Sequence, residues 1–243
     1  MGASVLEDVL WPVQEAQLDT RRLELRVKTL EQEVRSLREA LVCSFNQMLD
    51  LRDLNTGVHS TRLAEWGMRV GRDLGVDERG MSDIEMGALL HDIGKVGIPD
   101  QILNKPGRLT SDEFDIIKRH PEFGWSVIRN LPGLQITSLY VLHHHENFDG
   151  TGYPAGLSGA DIPIGARIVS VIDAFDAMVS SRPYREGMPV EEAIRRLHAS
   201  SGTQFDPAVV KSFVQIAQLE MPSVLEAVGS KEKIPPPVPV GQS

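Results

Sequence analysis

Seven histidines are spread along the chain: His59, His91, His120, His143, His144, His145 and His198. His198 sits in EEAIRRLHAS, a plain amphipathic helix with nothing chemical beside it, and reads as an ordinary helix residue. The others are harder to set aside. His91 is followed at once by Asp92 after the apolar run MGALL. His144 and His145 close the apolar run LYVL, and Asp173 lies inside RIVSVIDAFDAM. Each puts an imidazole or a carboxylate where a core-facing apolar stripe belongs. Burying such groups unpaired would cost several kcal/mol, and a bound cation removes that conflict. Side chains from different helices converging inside a bundle are a known way of building a two-metal site. The doubled pairs point the same way. Neighbours on a helix diverge by about 100°, so two of them serve one cluster only at a helix end or by gripping different ions.

The elements that would position these groups are helical. Expected helices cover His59 to Leu74, Ser82 to Asp92 with Ser82 and Glu85 as a capping box, and Ser111 to Arg119. Others cover Gly124 to Leu131, Gln135 to His145, Ala166 to Ser181, Val190 to Ala199 and Pro207 to Leu219. Gly94 is expected to end the second of them. No convincing strand pair appears, so the expected fold class is all-α. The loop DGTGYPAGLSG carries Gly150, Gly152, Gly156 and Gly159 and reads as a lid or a partner-contact surface.

Three regions are expected. Residues 1–48 form an N-terminal helix or coiled coil, 49–229 the globular domain, and 230–243 a disordered proline-rich tail, KIPPPVPVGQS being unable to pack as helix. In the first region Leu23, Val27, Leu30, Val34, Leu37 and Leu41 are spaced alternately by four and three, the heptad rhythm. Valine at a and leucine at d favour a parallel dimer. In such a pair Arg26 faces Glu31 of the second copy and Glu33 faces Arg38, while Asp19 against Glu24 repels. The alternative is one amphipathic helix docked on its own domain.

Composition sets bounds. The net charge is −9 and no long basic run exists, which argues against duplex DNA as a partner. A single cysteine, Cys43, allows no internal disulfide. No apolar stretch of about 18 residues predicts a membrane span, and the opening residues lack a secretory pattern. The expected location is the cytoplasm.

The strings HDIGKVGIPD (91–100), HHENFDGTGYP (144–154) and VIDAFDAMVSSRPYR (171–185) strongly resemble the HD-GYP branch of the HD-domain phosphohydrolases. Lys105–Gly107 and GTQFDP (202–207) extend the likeness from about His59 to Pro207. The resemblance implies an HD-domain helical bundle that holds two or three metals, often iron, and hydrolyses cyclic di-GMP to the linear dinucleotide or to GMP. By the same likeness His59, His91, Asp92, His120, His144, His145 and Asp173 match metal ligands. Lys95, with Asp92, matches the catalytic string, and Lys95 falls near the scissile phosphate. Tyr153, Asp176, Arg182 and Arg185 match positions that support or contact the nucleotide. His143 is outside the pattern and reads as helix packing or support.

One departure matters. Members with three metals carry a glutamate in a D-x-E-T-G-x-H string, and here DLNTGVH places Asn55 there. Two divalent ions are therefore expected. Mixed nitrogen and oxygen ligands suit iron, manganese or another transition metal, and the resemblance favours iron. Such a pair would hold a phosphate oxygen and acidify a bridging water, whose hydroxide attacks phosphorus in line. The alternatives are a receptor that binds cyclic di-GMP without turnover, and a phosphohydrolase for another cyclic dinucleotide. A regulatory protein partner, signalling through the coiled coil, is the expected source of control.

Overall fold

The computed structural model describes residues 3–50, 58–180 and 186–220. Asn55, Arg182, Arg185 and the proline-rich tail lie outside them. The chain divides into two compact units, Met1–Ser44 and Phe45–Ser243. The described residues of the first all belong to helix α1 (Ala3–Asp50), whose heptad residues Leu23, Val27, Leu30, Val34, Leu37 and Leu41 are all exposed.

The second unit holds α2 (Val58–Asp73), α3 (Glu78–Leu90), a 3-10 turn (Ile93–Gly97), the short α4 (Asp100–Leu103) and α5 (Ser111–Ile117). These are followed by α6 (His120–Ile128), α7 (Gln135–His143), α8 (Ile164–Val179), α9 (Val190–Ala199) and α10 (Pro207–Glu220). Among the described residues the sole β feature is an isolated bridge between Ser201 and Phe205. The unit is all-α, as expected. No described helix is long and apolar enough to cross a membrane.

Helix α8 is the axis. Ile168, Val169, Val171, Ile172 and Phe175 are fully buried, so an apolar face nearly half its circumference wide points into the core. It packs against α2, α3, α7, α9 and α10. Trp66 of α2, Phe175 of α8 and Phe213 of α10 meet edge to face, with centroids 4.8–5.6 Å apart. Such pairs contribute roughly 0.5–1.5 kcal/mol each beyond their buried area. This plug fixes α8 against α2, and with it the spacing of the polar groups those helices carry.

Several helix boundaries differ from expectation, each for a local reason. Helix α3 starts at Glu78, because Asp77 accepts a hydrogen bond from the Gly80 N–H at 2.8 Å and is the N-cap in place of Ser82. It stops at Leu90, and the chain tightens into the 3-10 turn. Gly94 lies inside that turn, where a Cβ would fall 1.8 Å from the His120 carbonyl oxygen and 2.4 Å from the Gly124 nitrogen. Its bare backbone therefore lets the HD segment lie directly on α6. Helix α6 begins at His120, since Pro121 is well tolerated in a first turn. Helix α7 ends at His143, so His144 and His145 both follow a helix end.

Candidate metal centre

The predicted ligands come from five elements. His59 sits in the first turn of α2, His91 and Asp92 just past α3, and His120 at the start of α6. His144 and His145 come just past α7, and Asp173 from the middle of α8. The fold brings all seven together. Nitrogen and oxygen atoms of His59, His91 and Asp173 lie within 4.8 Å of one another, and so do those of His120, His144 and His145.

Asp92 stands between the two groups. Its Oδ2 is 3.3 Å from His91 Nε2, and its Oδ1 is 3.4 Å from His120 Nε2. Each oxygen thus addresses a different group. Lys95, one turn further, places its Nζ 2.9 Å from Asp92 Oδ2.

Three imidazoles are oriented by the same device. His91 Nδ1 donates to the Ala88 carbonyl at 2.8 Å, His120 Nδ1 to that of Ile117 at 2.8 Å, and His144 Nδ1 to that of Val141 at 2.7 Å. A carbonyl only accepts, so each Nδ1 carries the proton. Burial, followed by the neighbouring cations and imidazoles, lowers the pKa of His120 to about 4 and of His144 to about 3. Both are neutral at pH 7, so their Nε2 atoms are lone pairs. They face each other at 3.3 Å. Two facing lone pairs repel, and a cation between them turns the contact into joint ligation. With metal–nitrogen bonds of about 2.0–2.1 Å, two nitrogens on one tetrahedral ion stand about 3.4 Å apart. The His91 Nε2 is also buried without a hydrogen-bond partner. The residues present therefore fit divalent metal. A backbone carbonyl on the far side of each imidazole is the usual means of fixing such ligands.

The other group differs electrostatically. Burial opposes a charge on His59, yet Asp173 and Asp176 outweigh it and raise its pKa to about 10. Burial likewise opposes a charge on His91, and Asp92 and Asp173 outweigh it. Without metal these two imidazoles hold protons that a divalent ion would replace.

The signs set a pH dependence for metal-free protein. His120, His144 and His145 have folded pKa values below the unfolded value of about 6.5. Their contribution to stability is present above about pH 6.5 and is lost as pH falls toward 4 and below. His59 and His91 are raised, so theirs is present below about 6.5 and is lost as pH rises, for His59 through about 10. Metal-stripped protein is expected to be most stable near pH 6–7. On the acid side its unfolding constant should grow up to about tenfold per pH unit for each proton taken up. Urea midpoints across pH 4–10 check this, and a flat profile would contradict it.

Asp176, expected to support or contact the nucleotide, lies behind the centre. It is 1% exposed, and its carboxylate is taken up by His59 Nδ1, Arg62 and Ser180. Arg62 also donates to Ser180 Oγ at 2.9 Å. Asp176 stands behind His59 and aims it, one turn along α8 from Asp173. Tyr153 is where a residue beside the centre should be, its ring stacked on His145 at 5.0 Å and 25°. Burial, then Asp92 and Asp173, raise its pKa, so the phenol stays protonated. Arg182 and Arg185 lie outside the described residues.

Glu146 is the residue that sequence reasoning passed over. It is 2% exposed and accepts hydrogen bonds from the Ala155 N–H at 2.8 Å and the Leu157 N–H at 3.2 Å. His143 Nδ1 lies 3.3 Å from the same carboxylate. The GYP loop is thus tied to the peptide that carries His144 and His145. Gly152 completes the junction: a Cβ there would fall 2.2 Å from the Asn147 nitrogen and 2.6 Å from the His145 oxygen. The signal was the adjacency of an acid to the histidine pair. Replacing Glu146 with glutamine turns one acceptor oxygen into a donor facing an N–H. Removing such a charge-assisted partner costs roughly 1–3 kcal/mol. Glu146→Gln is expected to raise hydrogen exchange at Ala155 and Leu157 by about tenfold or more, while α8 and α10 keep their protection. Unchanged loop exchange would refute the tether.

The sequence profile of the HD-domain family matches residues 44–209. A protein named cyclic di-GMP phosphodiesterase from Thermotoga maritima is 44% identical over 173 residues, covering 70% of this chain and 47% of that protein. The cyclic di-GMP phosphodiesterase response regulator RpfG of Xanthomonas campestris is 36% identical over 242 residues, 90% of this chain and 64% of that protein. The chain therefore spans about half the length of the first and under two thirds of the second. Among solved structures, a cyclic GMP-AMP specific phosphodiesterase of Vibrio cholerae superposes with a TM-score of 0.58 at 22% identity, over 81% of this chain and 53% of that one. That likeness concerns the fold. With the profile matching more than half of the residues and the HD and GYP strings meeting at one centre, the chain belongs to the HD-domain family, in its HD-GYP branch.

Proposed function

We propose that the protein is a metal-dependent phosphodiesterase that hydrolyses cyclic di-GMP to the linear dinucleotide or GMP. The observation that carries this reading is the pair of ligand groups joined by Asp92, with the Nε2 atoms of His120 and His144 facing at 3.3 Å. His59, His91 and Asp173 would hold one divalent ion and His120, His144 and His145 the other, with Asp92 lying between the two groups. Iron is the favoured metal, with manganese or another transition metal as the alternative. When bound, the ions neutralise phosphate charge and acidify water.

The chain's own residues do the rest. Lys95, held by Asp92, presents N–H donors to a phosphate oxygen or to the departing sugar oxygen. Asp176 and the carbonyls of Ala88, Ile117 and Val141 hold four imidazoles in one tautomer and one orientation. Tyr153 covers His145 and offers a protonated phenol to the substrate side. Arg182 and Arg185 are assigned to the second phosphate or a guanine, where a planar fork suits both. The division into 1–48, 49–229 and 230–243, dimerisation through Leu23 to Leu41, a regulatory protein partner and a cytoplasmic location complete the reading.

The test is anaerobic purification with metal counting, followed by turnover assays. About two ions per chain and linear product from cyclic di-GMP are expected. Binding of the nucleotide without product across several metals would make the protein a receptor. Product from cyclic GMP-AMP alone would reassign the substrate.

A further inference from the structure

Beside the metal centre lies a cavity of about 320 Å³, near the lower end of the range for small-ligand sites. His145 and Tyr153 form its inner end. Its outer walls come from three distant parts of the chain: Phe114 in the middle of α5, Asp149 in the loop after α7, and Gln204 in the turn before α10.

These walls are built. Thr110 and Glu113 form a full capping box at the start of α5, and Lys105 grips Glu113 at 2.6 Å, so the helix that carries Phe114 is anchored. The Phe148 and Asp149 N–H groups donate to the carbonyls of Gln204 and Thr203, at 3.1 and 2.8 Å, joining the two loops. The Asp149 Oδ1 accepts from the Thr151 N–H at 3.0 Å and from its hydroxyl at 2.6 Å.

The chemistry of the lining excludes some ligands. A phosphate would meet the Asp149 carboxylate. The one lysine there, Lys118, already pairs with Asp115 at 2.7 Å and lies over the Phe114 ring. A flat heterocycle with N–H donors fits better. Phe114 offers a stacking face, Gln204 an amide with both donor and acceptor, and Asp149 a carboxylate. Guanine presents adjacent ring and exocyclic N–H donors, whereas adenine shows a lone pair where the carboxylate would sit.

We propose that this cavity is a guanine subsite, in which Phe114 stacks on the base, Asp149 accepts from its N–H edge and Gln204 reads the remaining polar atoms. The assignment deepens the phosphodiesterase reading, since it seats one base of the dinucleotide with its phosphate toward His145.

The test is binding of mononucleotides to the full metal-loaded chain by calorimetry, which does not depend on turnover of a cyclic dinucleotide. GMP is expected to bind about tenfold or more tightly than either AMP or ribose 5-phosphate. Phe114→Ala and Gln204→Leu should remove most of the advantage over ribose 5-phosphate while leaving the number of bound ions unchanged. Equal affinity for GMP and ribose 5-phosphate would overturn the subsite, and equal affinity for GMP and AMP would overturn the guanine assignment. Variants that bind GMP as the parent does would also overturn it. Failure of the phosphodiesterase reading shows separately, as normal GMP binding with no product from cyclic di-GMP.

Discussion

Asp92→Asn is expected to cut turnover of cyclic di-GMP by at least about 10²–10³, the range for losing one well-placed charge-stabilising group. It should also leave the desalted protein with fewer ions per chain. Among the described residues Asp92 is the one carboxylate placed within 3.5 Å of an imidazole from each group, at 3.3 and 3.4 Å. An amide keeps the shape but has one weak acceptor oxygen and a pair of N–H donors. Those donors would face either His91 or His120. Burial raises the pKa of Asp92, but Lys95, His91 and His120 together drive it well below the ordinary value. The site is therefore arranged around a full negative charge at this position. Metal analysis beside a turnover assay checks the prediction. A variant with its full complement of ions and more than a tenth of parental activity would sink it.

The second large effect separates Lys95 from the ligands. Lys95→Met is expected to lower kcat by about 10²-fold, as for removal of one hydrogen-bond donor to developing charge. The ion content should be unchanged, because an ammonium has no lone pair to give. The loss should depend on the leaving group. If Lys95 serves the departing sugar oxygen, hydrolysis of bis(4-nitrophenyl) phosphate, whose leaving group is already stable as an anion, should fall far less. An equal loss on both substrates moves Lys95 to the non-bridging oxygens. Loss of metal in Lys95→Met would refute its assignment outside the ligand set.

Much of this architecture was readable from spacing. Helix α9 was expected at Val190–Ala199 and is found there, because an amphipathic stripe runs between Pro189 and Ser200 with no competing start signal. Five of the seven ligand positions, His91, Asp92, His144, His145 and Asp173, are visible as polar intrusions into apolar runs, and only the resemblance adds His59 and His120. Other features depended on contacts that spacing does not encode. Ser82 and Asp77 are both acceptable caps, and the Gly80 N–H settled the choice. Asp173 and Asp176 look alike in VIDAFDAM, yet one faces the centre and the other turns toward Arg62 and Ser180, because α2 lies beside that turn of α8. Glu146 looked like one more acid after a histidine pair. Its role follows from where the loop returns, nine to eleven residues later.

That return has a mechanical consequence. The peptide that presents His144 and His145 is the same one that Glu146 fastens to Ala155 and Leu157, and Tyr153 lies flat on the second of those imidazoles. Whatever pulls on the loop from outside pulls on the centre, and by thermodynamic reciprocity whatever fills the centre stiffens the loop. A binding partner at this surface would sense the ion-loaded protein as a different shape from the empty one.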